Sequence, residues 1–180
     1  MKPVLRIVLL AALTASVLAA QIGLAFLPNV ELVSLLLLIY AIHLPFKDAL
    51  MVAILFAVLE ALVWGFGDWV IGYMWIWPLW MIMARLLAPL NKDSSDRWAI
   101  AGGIWGILFG FLFSIQHAVL YGFTMGIAYW LRGIPFDIIH AVSNYILILL
   151  LYKPLSIQFE RLYQRLEGTY GRNGNDKNRR

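Results

Sequence analysis

One long apolar stretch near the carboxyl end decides how the chain folds. It reads Gly133-Ile-Pro-Phe-Asp-Ile-Ile-His-Ala-Val-Ser-Asn-Tyr-Ile-Leu-Ile-Leu-Leu-Leu-Tyr-Lys-Pro-Leu155, which as a helix is long enough to cross the roughly 30 Å of hydrocarbon in a bilayer. Pro135 stands in what would be the first turn, where proline is well suited because its missing N–H would have no partner. The sequence therefore predicts a transmembrane helix that starts at about residue 134.

Three polar residues interrupt this apolar run. Asp137, His140 and Asn144 follow one another at spacings of three and four residues, so they share one face of a helix. Polar groups inside a membrane helix are costly, and they usually face the interior of a bundle or a water-filled cavity. Two interpretations follow: a ligand-binding stripe, or a hydrogen-bond network that only holds helices together.

Composition excludes several classes of protein. Of the 180 residues, 62% are hydrophobic and only 13% are charged, too apolar a balance for a soluble domain. There is no cysteine, which excludes disulfides, thiolate catalysis and Cys-ligated metals. The net charge of +4 comes from scattered basic residues, so no nucleic-acid partner is expected.

Apolar runs recur along the chain and predict an all-α membrane protein with six transmembrane helices. A membrane domain at 1–155 is followed at 156–180 by a short amphipathic helix and a disordered tail. Residues 122–133 form the longest connection, which is a candidate lid. The start also resembles a signal peptide that ends at Ala20, but the apolar run continues past that point and favours a retained span. The spans are expected at about 4–26, 31–45, 48–66, 69–87, 97–121 and 134–153.

Two series of small residues recur at four-residue spacing. Ala11, Ala15 and Ala19 lie in the first span, and a second series in the fifth span comprises Gly102, Gly106, Gly110 and Ser114. Small side chains at this spacing let helices approach closely in lipid. The glycine series predicts a tight packing seam, whereas the alanine face could pack internally or dock a partner protein.

The basic residues predict the orientation. Six spans place both termini on one side, and if that side is the cytoplasm, Arg132 is the only lysine or arginine outside. Such a bias is the usual mark of cytoplasmic loops. We therefore expect a multi-pass protein of a bacterial or archaeal cell membrane with both termini cytoplasmic.

With this orientation, polar and aromatic groups converge near the outer face. Glu60 is an ionisable residue inside the third span, which is a functional hypothesis by default, although a protonated glutamic acid bonded to another helix is the alternative. The tryptophans of the fourth span could stack on a flat ring or simply anchor the helix at the interface. The predicted substrate-binding residues are Asn29, Glu60, Trp64, Trp75, Gln116, His117, Tyr121, Trp130, Asp137, His140 and Asn144.

Motifs for catalysis and nucleotide binding are absent from the sequence. It has no G-x-x-x-x-G-K-[ST] for ATP, no H-E-x-x-H and no G-x-S-x-G. No nucleophile has an evident base, so we expect no enzymatic activity and no cofactor. His117 and His140 could meet across helices, but a metal site is not expected.

Four stretches resemble the substrate-binding S-components of energy-coupling factor (ECF) vitamin transporters. They are the alanine series of the first span, the Trp-rich fourth span, and the segments Leu27-Pro-Asn-Val-Glu-Leu-Val33 and Ile134-Pro-Phe-Asp-Ile-Ile-His-Ala-Val-Ser-Asn144. The resemblance covers roughly residues 1–155. Members with the last motif more often have glycine where this chain has Ser143.

The resemblance implies a subunit that binds a water-soluble vitamin or related micronutrient at its outer face. It also implies a separate transmembrane coupling subunit and two ATPases as partners, with Ala11, Ala15 and Ala19 as the docking face. Local motifs of the riboflavin, thiamin and biotin branches are not found, so the substrate stays open. The alternative from another class is an MreD-like membrane scaffold of cell-shape machinery, which would need no ligand pocket.

Overall fold

The computed structural model of the chain describes residues 3–91 and 94–175, with side-chain surroundings as far as Gly168. Every regular element within these ranges is an α-helix. Helices α1, α4, α5 and α6 are long and apolar enough to cross a membrane, so the chain is a multi-pass helical membrane protein. The helices are α1 (Pro3–Leu24), α2 (Val33–His43), α3 (Phe46–Trp64), α4 (Asp68–Asn91), α5 (Ser95–Tyr121) and α6 (Phe123–Asn175).

Helix α2 is shorter than the predicted span at 31–45. Its 11 residues rise only about 16 Å, roughly half the thickness of the hydrocarbon. The segment that connects it to α1 is held against α6, because Asn29 Nδ2 donates to the carbonyl of Phe136 (3.0 Å) and Ser143 Oγ donates to that of Asn29 (2.9 Å). Non-helical backbone at membrane depth is tolerated where it is buried in protein or lines a cavity.

The predicted glycine seam is confirmed as the contact between α5 and α6. A Cβ atom at Gly106 would lie 2.5 Å from the backbone nitrogen of Ala141, and one at Gly102 would lie 2.2 Å from Cδ1 of Ile148. The contact at Gly106 is with backbone, which cannot move aside, so glycine there is what lets the two backbones approach. The close contact between α5 and α6 sets the position of α6 along α5, and therefore the position of its polar residues.

The predicted lid at residues 122–133 is wrong, because residues 123–133 form the first three turns of α6. A single residue, Gly122, separates α5 from α6, with a φ of 93° that favours glycine. Gly126 then lies so close to α5 that a Cβ would be 2.7 Å from the carbonyl oxygen of Ser114. Pro135 is consequently inside the helix and does not start it. The packed hairpin outweighs the local preference of proline for a helix start.

The predicted amphipathic helix at the carboxyl end is the continuation of α6, which runs through Pro154 as far as Asn175. Phe159 packs on the rings of Tyr40 (5.1 Å between centroids) and His43 (5.9 Å), so its apolar face covers the end of α2. The prediction of a disordered tail is wrong for residues 168–175, which are helical; residues 176–180 lie outside the described residues.

Basic side chains gather at the end of the bundle where α2 ends and α3 begins. Arg6 forms an ion pair with Asp48. Arg85 Nη1 donates to the carbonyls of Ala41 (2.9 Å) and Ile42 (3.0 Å), which are left without helical partners at the end of α2. We call this the basic end. Two adjoining cavities lie at the other end, which we call the cavity end. Two separate cavities of about 380 Å³ each lie at the basic end, one of them lined by Arg6, Lys47 and Asp48.

Candidate functional site

The polar stripe of α6 faces the interior of the bundle. Asp137, His140 and Asn144 are all buried, with 1–5% of their surfaces exposed, whereas their neighbours Ile138, Val142 and Ile146 are exposed. The three residues therefore share one inward face, as their spacing predicts. The atoms around the three side chains differ, and these differences show which residue supports the fold and which residues line a cavity.

His140 is held by a carboxylate from the start of α2. Its Nε2 lies 3.1 Å from Oε1 of Glu31, and the second carboxylate oxygen of Glu31 accepts the backbone N–H of Ser34 at 2.8 Å. The other ring nitrogen, Nδ1 of His140, is buried without a hydrogen-bond partner. The ring packs on that of Phe109 in a T-shaped arrangement, with centroids 4.9 Å apart. One ring nitrogen of His140 is thus fixed by Glu31, the other has no partner, and the residue lines a cavity.

Asn144 lies one turn closer to the basic end, beneath the site. Its Nδ2 donates to Oγ of Ser34 at 3.2 Å, and the carbonyl of Ser34 accepts Nε1 of Trp80 at 2.9 Å. Both Asn144 and Ser34 are almost fully buried. This contact supports α2 from below, and Asn144 does not line either cavity at the cavity end.

Asp137 is buried against the glycine seam. Its Oδ1 accepts the backbone N–H of Gly110 at 3.2 Å, and a Cβ atom at position 110 would lie 2.3 Å from that oxygen. Its Oδ2 is buried without a hydrogen-bond partner. Only glycine at position 110 leaves space for this carboxyl, which lines a cavity.

The first cavity has a volume of about 340 Å³ and lies between the α1–α2 connection and helices α3 to α6. Glu60 is 3% exposed, and its Oε1 has no hydrogen-bond partner. Trp77 Nε1, a donor, is also buried without a partner. The residues that line the first cavity include Asn29, Glu31, Glu60, Trp64, Trp69, Tyr73, Trp77, Phe109 and His140.

A second cavity of about 770 Å³ adjoins the first and lies beside the α5–α6 hairpin. The two cavities share Asn29, Trp69, Tyr73 and Phe109 as lining residues. His117 is stacked on Tyr129 (centroids 3.8 Å apart), and both line this cavity together with Asp137 and Arg132. The volumes fall within the roughly 300–1,000 Å³ that small-molecule sites usually have.

Aromatic rings form the wall that the two cavities share. Tyr73 is at the centre, with centroid distances of 5.3 Å to Trp69, 5.5 Å to Trp77 and 6.4 Å to Phe109. Gly72 lets Phe113 approach α4, because a Cβ there would be 2.2 Å from that ring. Of the aromatic residues of α4, Trp69, Tyr73 and Trp77 line the cavities, whereas Trp75 and Trp80 do not.

The structure brings six of the eleven predicted site residues to the cavities and places five elsewhere. Gln116 is buried away from the cavities, where Nε2 donates to the carbonyl of Asp68 (2.7 Å) and Oε1 accepts Nε1 of Trp75 (3.2 Å). Tyr121 donates to Asp68 at 3.2 Å, and Trp130 packs on Phe111 outside the cavities. The six that line them are Asn29, Glu60, Trp64, His117, Asp137 and His140, and the five that do not are Trp75, Gln116, Tyr121, Trp130 and Asn144.

Several lining residues were not among the predicted site residues. Tyr73 and Trp77 are four residues apart in α4, a spacing that could have marked one shared inner face. Glu31 stands directly before an apolar helix, and its burial gave no signal in the sequence. Tyr129 and Arg132 lie in the stretch expected to be a loop. The missed residues of the two cavities include Glu31, Trp69, Tyr73, Trp77, Phe109, Phe113, Tyr129 and Arg132.

No protein-family model, curated protein or solved structure matches the chain. Among the described side chains, no three of His, Asp or Glu come together in a way that could hold a metal ion. The chemistry offered by the site is therefore recognition by carboxyl, imidazole and aromatic groups.

Proposed function

We propose that this chain is the substrate-binding subunit of an ECF-type importer, which takes up a water-soluble vitamin or related micronutrient. The observation that carries the proposal is the pair of adjoining cavities, lined by residues that have unsatisfied polar atoms. Oε1 of Glu60, Oδ2 of Asp137 and Nδ1 of His140 are buried without partners. Since buried polar groups are rarely left unsatisfied, such a group at a cavity is best explained by a ligand that bonds to it.

The proposed orientation follows from charge. The basic end carries Arg6, Lys47 and Arg85, and cytoplasmic ends of membrane proteins are rich in Lys and Arg. The cavity end then faces the outside, where a scarce nutrient must be captured. The α1–α2 connection lies part of the way into the membrane, which lets a water-soluble ligand bind below the surface.

The proposed docking face is the outer side of α1. Ala11, Ala15 and Ala19 are exposed, whereas Leu13 and Val17 of the same helix are buried inside the protein. An exposed face of small side chains permits a second membrane protein to approach closely. We assign this face to the coupling subunit, which together with two ATPases would supply the energy for uptake.

The proposal is tested by purifying the tagged chain from cells that contain an ECF module and identifying what accompanies it. We expect the coupling subunit and both ATPases to co-purify, and mass spectrometry of the denatured protein to release one defined small molecule. A protein that carries no small molecule, and that co-purifies with cell-wall proteins in place of the ATPases, would identify a membrane scaffold and overturn the proposal.

A further inference from the structure

We propose that the joined cavities select a ring-bearing organic cation, such as a protonated amine or an N-alkylated heteroaromatic ring. This inference rests on the binding role proposed above and adds the charge class of the ligand. Three observations carry it: the excess of carboxyl groups in the walls, the unpartnered oxygens of two of them, and the aromatic wall between the cavities.

Carboxyl groups outnumber lysines and arginines among the lining residues. Glu31, Glu60 and Asp137 contribute three carboxyl groups, and Glu31 is already paired with His140. Arg132 is the only lysine or arginine that lines either cavity within the described residues, and it is exposed. A carboxylate held away from water is stabilised by a nearby positive charge. Glu60 and Asp137 have no such charge paired with them in the described part of the chain.

The unpartnered oxygens show where the ligand would bond. Glu60 lines the first cavity and its Oε1 is buried without a partner, and Asp137 lines the second cavity with its Oδ2 likewise buried without a partner. An ionised carboxyl oxygen only accepts hydrogen bonds, so each calls for an N–H or O–H donor or for a cationic centre.

Aromatic rings between the two carboxyls complete the argument. Trp69, Tyr73 and Phe109 line both cavities, and their π-faces attract cations as well as flat rings. Cation–π attraction strengthens as water is displaced, which happens when a ligand fills the cavity. A ring that carries positive charge satisfies the carboxyls and the aromatic wall together, whereas an anion is repelled by both.

The experiment compares the affinities of ligands that differ in charge but have nearly the same shape. The purified full-length chain, freed of co-purified ligand, is titrated by calorimetry with 1-methylnicotinamide, nicotinamide and nicotinate, which share a pyridine ring and are cationic, neutral and anionic. A second set, benzyltrimethylammonium, benzyl alcohol and benzoate, repeats the comparison on another ring. We expect each cation to bind at least about tenfold more tightly than its neutral and anionic counterparts.

The variants Glu60→Gln and Asp137→Asn remove charge and keep shape. Each is expected to lower affinity for the cations by about ten- to a hundredfold while changing that for the neutral probes little. Tyr73→Leu should also lower the affinity for the cations more than that for the neutral probes. Tyr73→Phe keeps the aromatic ring and should not have this effect. Glu160→Gln is the matched control, because Glu160 is an exposed carboxyl bonded to Gln164 on the last part of α6.

Each outcome decides the inference. A preference for cations that disappears in the Glu60→Gln and Asp137→Asn variants supports it, and a partly unfolded variant could not produce that selective loss. Equal or tighter binding of the neutral or anionic probes overturns it but leaves a binding subunit of another specificity. Failure of both cations to bind also overturns it. The co-purification experiment described above tests the proposed function separately.

Discussion

His140 Nε2 lies 3.1 Å from Oε1 of Glu31, although the two residues are 109 positions apart in the chain. This contact joins the middle of α6 to the start of the short helix α2. It closes one side of the first cavity and leaves Nδ1 of His140 unpartnered. The pair therefore connects the stability of the bundle to the geometry of the candidate site.

We expect the pair to act as one energetic unit. Glu31→Ala and His140→Ala each leave a buried partner unsatisfied, so each should lower the free energy of unfolding by about 1–3 kcal/mol. The double variant should lose less unfolding free energy than the two single variants together, with a coupling energy of about 0.5–3 kcal/mol. Denaturation of the two single variants and the double variant measures this coupling. Strictly additive losses would mean that the contact contributes nothing.

Asn144→Ala is expected to affect stability more than ligand binding. Its Nδ2 bonds to Ser34 Oγ beneath the cavities, so its loss should cost about 1–3 kcal/mol of unfolding free energy. His140→Ala, which alters a cavity wall, should weaken ligand binding by about ten- to a hundredfold. Titration of both variants with the co-purified ligand checks the difference. A larger loss of affinity in Asn144→Ala would place Asn144 in contact with the ligand.

Two neighbouring glycines of α5 should respond in opposite ways to alanine. At Gly106 a Cβ would meet the backbone nitrogen of Ala141 at 2.5 Å, whereas at Gly103 it would meet the carbonyl oxygen of Ala141 at an ordinary 3.5 Å. Gly106→Ala should destabilise the protein by about 1–3 kcal/mol. Gly103→Ala should be neutral, or stabilising by up to about 1 kcal/mol, because alanine favours helix. Thermal unfolding in detergent measures both, and equal effects would refute the seam.

Ala15→Trp should abolish uptake and leave ligand binding by the isolated subunit intact. Ala15 is exposed on α1, and a bulky ring there prevents the close approach that a shared helix face needs. Leu150→Trp is the control, because Leu150 is 64% exposed on α6, away from that face. Co-purification with the coupling subunit before and after substitution measures docking. Unchanged complex yield in the Ala15→Trp variant would assign docking to another surface.

The absence of cysteine permits a direct test of orientation. Thr124→Cys places a thiol at the exposed start of α6, and Lys47→Cys places one at the basic end. A membrane-impermeant maleimide should label the first in intact cells and the second only after permeabilisation. The reverse pattern would put the cavities on the cytoplasmic side and contradict uptake from outside. Labelling of both in intact cells would show that the membrane no longer excludes the reagent.

The sequence by itself determined the class of the protein and the faces of its helices. Apolar runs force a membrane location, since so much apolar surface cannot be held in water. A spacing of three and four residues placed Asp137, His140 and Asn144 on one inward face, and four-residue spacing made Gly102, Gly106 and Gly110 a seam. These are periodic properties of a single helix, so they can be recognised without knowing what lies opposite.

Only the tertiary structure decided where helices end and which polar groups meet. Pro135 favours a helix start locally, but the contact of Gly126 with α5 keeps the chain helical from Phe123. Asp137, His140 and Asn144 look equivalent in the sequence. Partners from distant segments give them different roles: Gly110 for Asp137, Glu31 for His140, and Ser34 for Asn144. The free energy of a buried polar group depends on the atoms around it, and those come from parts of the chain that no local pattern connects.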